Sequence, residues 1–174
     1  MMDVLTPEQR RLNMSRIRGR DTKPELLIRR GLHALGFRFR VQRRDLPGRP
    51  DLVFAGARAV VFVHGCFWHG HSCPMCRLPA TRTDFWQAKI DGNRQRDKKA
   101  LDNLAASGWR SLIVWECALR GPARRDGESV LACCAAFIRS REGSAEILGD
   151  WQAVESRSTE QPAAPGTPSE RQSG

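Results

Sequence analysis

The sequence predicts an α/β domain in which helices flank a mixed central sheet. Two runs have the length of strands: Ala59–Val63 is continuously apolar, and Trp109–Trp115 has three apolar residues at its centre. The stretch between them, residues 83–107, carries helical patterning, and further helix start signals precede and follow the two runs. Strands that alternate with helices in this way favour a sandwich of helices around a mixed sheet.

Two helix start signals open the chain. Thr6 followed by Pro7 predicts a short first helix that ends near residues 16–20. The same signature at Thr22 predicts a second helix, which stops at Gly36.

Strand signals follow the second helix. Residues 37–41 alternate apolar and polar side chains, which predicts a half-buried strand. A loop rich in Pro and Gly at residues 46–50 leads into a short strand, Asp51–Phe54. Residues 55–58 then turn the chain into the apolar run Ala59–Val63, so the two strands are expected to form a hairpin.

The second half of the chain repeats the alternation. Two helices, Thr83–Asp91 and Asn93–Ser107, are predicted on either side of Gly92, and they lead into the strand Trp109–Trp115. Asp126 is expected to cap a last helix that runs through Ile138.

The composition changes beyond about Ser140. Ser, Gly, Pro, Glu and Gln dominate there, and such segments rarely bury enough apolar surface to fold. We therefore expect a single domain in residues 1–140, with an N-terminal arm at about residues 1–20, and a flexible tail in residues 141–174.

Charge indicates the partner. The 174-residue chain has a net charge of +10, and arginine outnumbers lysine, which suits bidentate binding of phosphate in nucleic acid.

No apolar run is long enough to span a bilayer, and the polar, basic start does not have the pattern of a signal peptide. We expect a cytoplasmic protein with reduced thiols, in which clustered cysteines are metal ligands rather than disulfides.

Residues 64–73 contain three of the four histidines and two of the six cysteines. Within them Cys66, His71 and Cys73 offer three ligands of the kind that zinc prefers. The fourth ligand is either Cys117, just past the strand Trp109–Trp115, or Cys76, two residues beyond Cys73. A site with four protein ligands would be structural and closed to substrate.

A second group of residues suits phosphodiester hydrolysis. Asp51 stands at the mouth of the predicted hairpin, where its carboxylate and a backbone carbonyl of the second strand can hold Mg²⁺. Glu25 either adds a carboxylate or serves only in a capping box with Thr22. His64 and His69 are candidate bases, because an unperturbed imidazole titrates close to neutral pH.

The aspartate that precedes these strands resembles the restriction-endonuclease-like nuclease core, although the usual lysine of that core is replaced here by histidine. Longer motifs resemble one family, the very short patch repair endonucleases, over roughly residues 1–137. The similar segments, in chain order, are Asn13-Met14-Ser-Arg-Ile, Leu46-Pro-Gly-Arg-Pro-Asp51, His64-Gly-Cys-Phe-Trp-His69, Pro79-Ala-Thr-Arg-Thr-Asp-Phe-Trp86 and Ile113-Val-Trp-Glu-Cys-Ala-Leu-Arg-Gly121.

The resemblance implies a monomeric, magnesium-dependent nuclease. Members of the family nick DNA on the 5′ side of the thymine in a T:G mismatch that arises when 5-methylcytosine deaminates. By resemblance, Asp51 and the backbone carbonyl of Val63 would bind magnesium, His69 would be the general base, and His64 and Glu25 would assist. The structural zinc would be held by Cys66, His71, Cys73 and Cys117. Mismatch-repair proteins and a repair polymerase are implied as partners.

The resemblance also implies how the mismatch is recognised. Phe67, Trp68 and Trp86 would wedge into the duplex, and Met14 on the arm would approach from the other groove. If the helix continues through Gly92, Lys89 and Asn93 share a face with Trp86 and are candidates to read the mismatched bases, or they belong to a solvated face.

Two other functions stay open at this point. One is a zinc-stabilised DNA-binding module without catalysis, and the other is a restriction-type nuclease of the same fold with another target. Nicking that requires both the mismatch and Mg²⁺ separates the proposed function from both.

Overall fold

A computed structural model provides the structure of this chain. It describes residue 6, residues 8–9, residue 12 and residues 20–159, with only the backbone for residues 157–159. The helices are α1 Lys23–Ala34, α2 Thr83–Ala106, α3 Glu116–Leu119, α4 Gly127–Arg139 and α5 Trp151–Thr159. The strands are β1 Arg40–Val41, β2 Leu52–Phe54, β3 Ala59–His64, β4 Arg110–Trp115 and β5 Ala145–Ile147, and a 3₁₀ turn, Ala55–Ala57, joins β2 to β3.

The described strands form one five-stranded mixed sheet with the order β1-β2-β3-β4-β5. The pairs β1–β2 and β2–β3 are antiparallel, and the pairs β3–β4 and β4–β5 are parallel. The parallel pair β3–β4 is connected through α2, as a parallel connection requires a crossover. The predicted mixed α/β class is therefore confirmed.

Alternate residues of the strands build a core on each face of the sheet. On one face Val61 and Leu112 pack with Ile28 of α1 and Phe137 of α4. On the other face the residues in contact are Val60, Phe62, Ile113, Trp115 and Leu104 of α2, together with three cysteines. Because β3 is covered on both sides, its continuous apolar sequence is accounted for.

Side-chain caps fix where two helices begin. The Thr22 hydroxyl accepts a hydrogen bond from the Glu25 N–H, and the Asp126 carboxylate accepts one from the Ser129 N–H. Both predicted starts are confirmed, and α1 ends two residues before Gly36, which has a positive φ of 87°.

The prediction of two helices around Gly92 is wrong, because α2 is continuous from Thr83 to Ala106. A single interior glycine costs a helix about 1 kcal/mol relative to alanine, which good helix formers on both sides can offset. A side-chain hydrogen bond from Gln87 to Asp91 supports the turn before the glycine. The continuous helix places Trp86, Lys89 and Asn93 along one face.

The predicted strand at residues 37–41 is shorter in the structure. Only Arg40 and Val41 pair with β2, and both are exposed. Phe37 and Phe39 are partly buried against the core, so the alternation holds for them but not for Val41, which is 47 % exposed. This strand lies at the sheet edge, where less of its surface is covered.

The sheet extends beyond residue 140, into the segment that was expected to be a tail. Strand β5 pairs with β4 through Ile113↔Glu146 and its neighbours, and Ile147 is buried in the core. The composition of this segment did not predict β5, because a strand of three residues is too short to give a periodic signal.

Most of the predicted first helix lies outside the described residues, and so does Met14. Within the described part, the Gln9 N–H donates to the Thr6 hydroxyl and the Thr6 N–H donates to the Gln9 side chain, which is a reciprocal capping pair. None of the described helices combines the length and the apolar character that crossing a bilayer needs.

Candidate active site and metal-binding group

The ends of two parallel strands determine where the site lies. His64 at the end of β3 is in register with Trp115 at the end of β4. The segment after β3 and the residues after β4 therefore emerge at the same edge of the sheet. Cys66 and Cys117, fifty-one positions apart in sequence, meet there and are both fully buried.

Four soft donor atoms come together at this edge. One ligand atom from each of Cys66, His71, Cys73 and Cys117 lies within 4.8 Å of the other three. The Nδ1 atom of His71 is 3.6 Å from the sulfur of Cys66 and 3.6 Å from that of Cys117. Three thiolates with an imidazole are a donor set that suits a tetrahedral soft ion. This is a candidate metal site with all its ligands supplied by the protein.

Cys76, the other candidate for the fourth ligand, lies outside this group of mutually close donors. Its N–H donates to the Cys73 carbonyl, so the chain turns between the two cysteines. The sequence left the choice between Cys76 and Cys117 open, and among the described residues the geometry favours Cys117.

The surroundings of the four donors hold them in place. The Gly149 N–H donates to the sulfur of Cys117 at 3.3 Å, and the Trp115 ring stacks on His71 at 4.2 Å and 15°. Burial raises the pKa of the Cys66 and Cys117 thiols and lowers that of the His71 imidazole. A bound cation would reverse the effect on the thiols, because it stabilises the thiolate form.

Asp51 lies where β2 enters the sheet beside β3. One of its carboxylate oxygens accepts a hydrogen bond from the Val63 N–H at 2.7 Å, which fixes the carboxylate beside the end of β3. Burial raises the pKa of Asp51 to about 6, and the nearby Glu25 carboxylate adds to this, while the Val63 hydrogen bond works against it. A buried carboxylate that is costly to ionise alone is suited to pair with a cation.

The two candidate bases, His64 and His69, stack face to face with ring centres 3.7 Å apart and planes 6° apart. His69 Nδ1 is 2.6 Å from a carboxylate oxygen of Asp97 on α2. Burial would raise the pKa of Asp97, but the hydrogen bond and the charge of His69 outweigh it and lower the pKa. An ionised Asp97 can only accept, so Nδ1 of His69 carries the proton and Nε2 is left as the acceptor.

His64 has a different environment from its neighbour. It is buried, and burial together with the adjacent His69 lowers its pKa to about 3. His64 is therefore a neutral imidazole at physiological pH, able to donate or accept a hydrogen bond without adding charge.

The position of Glu25 is compatible with both roles that the sequence left open, capping of α1 and supply of a carboxylate to the site. Its oxygens accept hydrogen bonds from the Thr22 hydroxyl, the Asp21 N–H and Arg29, so it does cap α1. Its side chain also lines the same cavity as Asp51. The cavity has a volume of about 930 Å³, and Asp51, Val63, His64 and His69 also line it.

Aromatic side chains gather at the rim of the cavity. Phe67 and Trp68 lie edge to face at 5.1 Å, and the Trp86 ring of α2 contacts them at 5.5 Å and 6.1 Å respectively. The sequence had grouped these three residues only by resemblance. Phe85, which is 47 % exposed, extends the aromatic surface next to Trp86.

Lys89 and Asn93 lie on α2 beside this aromatic group. Lys89 is exposed, whereas Asn93 is half-buried and its amide donates to the Trp68 carbonyl at 2.7 Å. Arg96 donates to the other end of the same amide. In this structure Asn93 therefore braces the segment that carries Phe67 and Trp68.

Comparison with known proteins identifies the family of this site. Residues 2–75 match the family described as DNA mismatch endonuclease Vsr. The DNA mismatch endonuclease Vsr of Escherichia coli (strain K12) is 45 % identical over 147 residues, which is 84 % of this chain and 94 % of that protein. The chain belongs to the Vsr family of DNA mismatch endonucleases.

Other Vsr-related proteins are similar over most of their length. The type II nicking enzyme V.XorIIP of Xanthomonas oryzae pv. oryzae is 52 % identical over 119 residues, which is 68 % of this chain and 88 % of that enzyme. The type II nicking enzyme V.NmeAIP of Neisseria meningitidis serogroup A is 42 % identical over 123 residues, 71 % of this chain and 88 % of that enzyme. The family resemblance drawn from the motifs is confirmed.

Two residues of this Vsr-family site were missed by the sequence reasoning. Asp97 lies twenty-eight positions after its partner His69, on a helix whose exposed face carries many charges. Trp115 was expected only as a strand residue, yet its ring contacts His71 and, edge to face at 5.4 Å, also His64. For Asp97 a sequence signal was available: it lies eleven positions after Trp86 and four after Asn93, a spacing that places all three on one helix face.

Proposed function

We propose that this chain is a magnesium-dependent endonuclease that nicks duplex DNA on the 5′ side of the thymine in a T:G mismatch. Such mismatches follow deamination of 5-methylcytosine, and the nick would start a very short repair patch. The observation that carries the proposal is the arrangement of Asp51, His64 and His69 around one cavity with an aromatic group at its rim. The family membership supports a DNA substrate.

His69 is the proposed general base. With Nδ1 held by Asp97, its Nε2 takes a proton from the attacking water as a bond from that water to phosphorus forms and a phosphorus–oxygen bond of the backbone breaks. Asp97 orients the ring and stabilises the imidazolium that results. His64, neutral and stacked on His69, supplies a hydrogen bond to the same region.

Asp51 and the backbone carbonyl of Val63 are the proposed magnesium ligands. Glu25, which lines the same cavity and acts on the pKa of Asp51, is proposed to contribute through water. A buried carboxylate with a carbonyl is a donor set of the hard oxygen type that magnesium prefers. When bound there, magnesium would neutralise the negative charge that develops on the phosphate.

Zinc is the proposed ion of the Cys66, His71, Cys73 and Cys117 group, with a structural role only. The ligands occupy both ends of the segment that carries Phe67, Trp68 and His69, so closing them around an ion fixes that segment at two points. A fixed segment loses less conformational entropy when it binds DNA.

Phe67, Trp68 and Trp86 are the proposed wedge. Inserting aromatic rings beside a base pair costs a few kcal/mol of unstacking, and less where the pair is already weakened, as a T:G wobble is. Lys89, and Asn93 once released from Trp68, would read the edges of the two bases, and Met14 on the arm would enter the opposite groove.

We further propose that the protein acts in the cytoplasm as a monomer, and that mismatch-repair proteins and a repair polymerase continue the pathway.

A mismatch panel tests this function. Duplexes of one sequence that carry T:G, T:A, C:G or A:C at the same position are labelled on each strand in turn. They are incubated with the protein in Mg²⁺ and without added divalent cation. The proposal expects a nick only in the thymine-containing strand of the T:G duplex, only with Mg²⁺. Equal nicking of all duplexes indicates a restriction-type nuclease, and tight binding without any product indicates a binding module.

A further inference from the structure

Three arginines of the described chain have left-handed backbone conformations, and one of them differs from the others. Arg49, Arg58 and Arg82 have φ values of 50°, 49° and 55°. Residues other than glycine avoid this region because the Cβ atom crowds the backbone. For Arg49 the restriction is stronger still, because the next residue is Pro50, which disfavours folded conformations of the residue before it.

The other two arginines use their side chains within the protein. The Arg58 guanidinium donates to the Ser107 carbonyl and lies 4.9 Å from the centre of the Trp109 ring. The Arg82 guanidinium lies 4.5 Å from the centre of the Phe85 ring. These contacts give each side chain a structural use at a position where glycine would fit with less strain.

Arg49 has no such contact. Within residues 20–159 no hydrogen bond, ion pair or ring contact of its guanidinium is found, and the residue is exposed. Its backbone N–H donates to the Leu46 carbonyl, which closes the turn that delivers Asp51 to the sheet. A glycine could make that same turn, so the turn alone does not account for an arginine.

The position of Arg49 suggests what its side chain binds. It lines the cavity that holds Asp51, His64 and His69. The acidic residues of that cavity are Glu25, Asp51 and Glu116, and their negative charge must be offset for a DNA phosphate to enter. Two other cations line the cavity. Arg120 is already paired with Glu116, and the Lys23 ammonium lacks the planar, bidentate donor geometry of a guanidinium.

We infer that Arg49 binds the DNA phosphate that is cleaved, through hydrogen bonds from its guanidinium to the non-bridging oxygens. This inference rests on the proposed nuclease function. The planar guanidinium matches the geometry of a phosphate with two parallel hydrogen bonds, and its positive charge offsets the acids beside it. The left-handed backbone at Arg49 places this residue on the wall of the cavity that Asp51 also lines.

The test compares Arg49→Gly and Arg49→Lys with the wild type and with Gln42→Gly. Gln42 is a matched control because it also has a positive φ, of 48°, but carries no charge and does not line the cavity. Single-turnover nicking of a T:G duplex, the thermal midpoint of unfolding and the salt dependence of DNA binding are measured for each protein.

The Arg49→Gly protein is expected to unfold at an equal or higher temperature than the wild type, because glycine relieves the backbone strain. Its nicking rate is expected to fall by roughly thirtyfold or more, and the slope of log Kd against log salt to decrease by about one, as loss of one phosphate contact requires. Arg49→Lys should recover part of the rate, and Gln42→Gly should keep the wild-type rate and slope.

Nicking by Arg49→Gly within twofold of the wild type, or an unchanged salt slope, would overturn the inference. A wild-type protein that does not nick the T:G duplex would instead refute the proposed function, so the two failures are distinguishable. If Arg49→Gly does not fold, the Arg49→Lys variant decides the question. Lysine keeps the positive charge but cannot donate two parallel hydrogen bonds, so nicking at the full wild-type rate would contradict a bidentate contact.

Discussion

The segment His64–Cys73 supplies two groups of side chains, and they are built in different ways. The Cys66, His71, Cys73 and Cys117 group is closed, because its donor atoms face one another and are mostly buried. The His64, His69 and Asp97 group is open, because its two histidines line a cavity and Asp97 contacts only Nδ1 of His69, not Nε2. This difference supports our proposal that one group holds the segment and the other carries out proton transfer.

Trp115 connects the two groups. Its ring stacks on His71 of the closed group and contacts His64 of the open group edge to face. Its indole N–H donates to the Glu146 carboxylate at 2.7 Å, so strand β5 fixes the ring from the far side of β4. A disturbance in one group can therefore reach the other through packed rings as well as along the segment that they share.

Replacing a ligand of the closed group should give the largest effect. Cys117→Ser removes one of four soft ligands, and we expect the purified protein to lose most of its bound zinc and its nicking activity. Because metal binding stabilises the fold, the thermal midpoint should fall by roughly 10 °C. Cys76→Ser is the matched control and should keep metal, stability and activity. Equal metal loss in both variants would contradict the assignment of Cys117.

Asp51→Asn should separate activity from stability. Nicking should be lost with the magnesium ligand. In the absence of Mg²⁺, however, the variant should be more stable than the wild type at pH 8, by roughly 1–3 kcal/mol. The folded-state pKa of Asp51 is raised to about 6, above the usual aspartate value, so the folded protein binds a proton more readily than the unfolded chain. Wild-type stability is therefore lost as pH rises from about 4 to above 6.

Urea unfolding at pH 4 and pH 8 measures this difference. The stabilising effect of Asp51→Asn should be small at pH 4, where the wild-type carboxyl is protonated in the folded protein, and should grow to its full size above pH 6. A variant that is equally destabilised at both pH values would show that Asp51 serves the fold rather than the cation.

Asp97→Asn tests the orienting contact in the open group. An amide can hold the His69 ring in the wrong tautomer, so we expect nicking to fall by roughly 10–100-fold while zinc content and DNA affinity stay unchanged. Asp102→Asn, on the exposed face of the same helix, is the control and should nick normally. A normal rate for Asp97→Asn would remove this residue from the mechanism.

Trp115→Phe should give the smallest effect but on both groups at once. Phenylalanine keeps a ring in place and loses the hydrogen bond to Glu146, which is worth about 0.5–1.5 kcal/mol. We expect zinc to be released to a chelator several-fold faster and nicking to slow by a similar factor. Trp109→Phe is the control. If only one of the two properties changes, Trp115 does not connect the groups.

The closed group could be predicted from the sequence because its chemistry is restrictive. Few residue types bind soft metals, and three of them stand within eight positions, so only the fourth, Cys117 or Cys76, needed the fold. The two hairpin strands, and with them the position of Asp51 at the start of the hairpin, could also be predicted, because an apolar run and a turn signal border them.

The open group could be predicted only in part. Aspartates on a solvated helix are common, and the helical spacing of Asp97 from Asn93 does not by itself show that Asp97 contacts His69. The role of Trp115 depends on the register of β3 with β4, and that of Glu146 on a three-residue strand that lacks a periodic pattern. Asn93 was expected either to read the mismatched bases or to belong to a solvated face, whereas its hydrogen bond to the Trp68 carbonyl is a tertiary contact that no sequence pattern encodes.

The most direct test of the division between the two groups is His69→Ala, with His33→Ala as its control, since His33 is exposed on α1 away from the site. Zinc content, affinity for a T:G duplex and single-turnover nicking are measured together on each protein. We predict that His69→Ala keeps its zinc and most of its DNA affinity and that its nicking rate falls by at least about 100-fold. Nicking at the wild-type rate by the His69→Ala protein would contradict it.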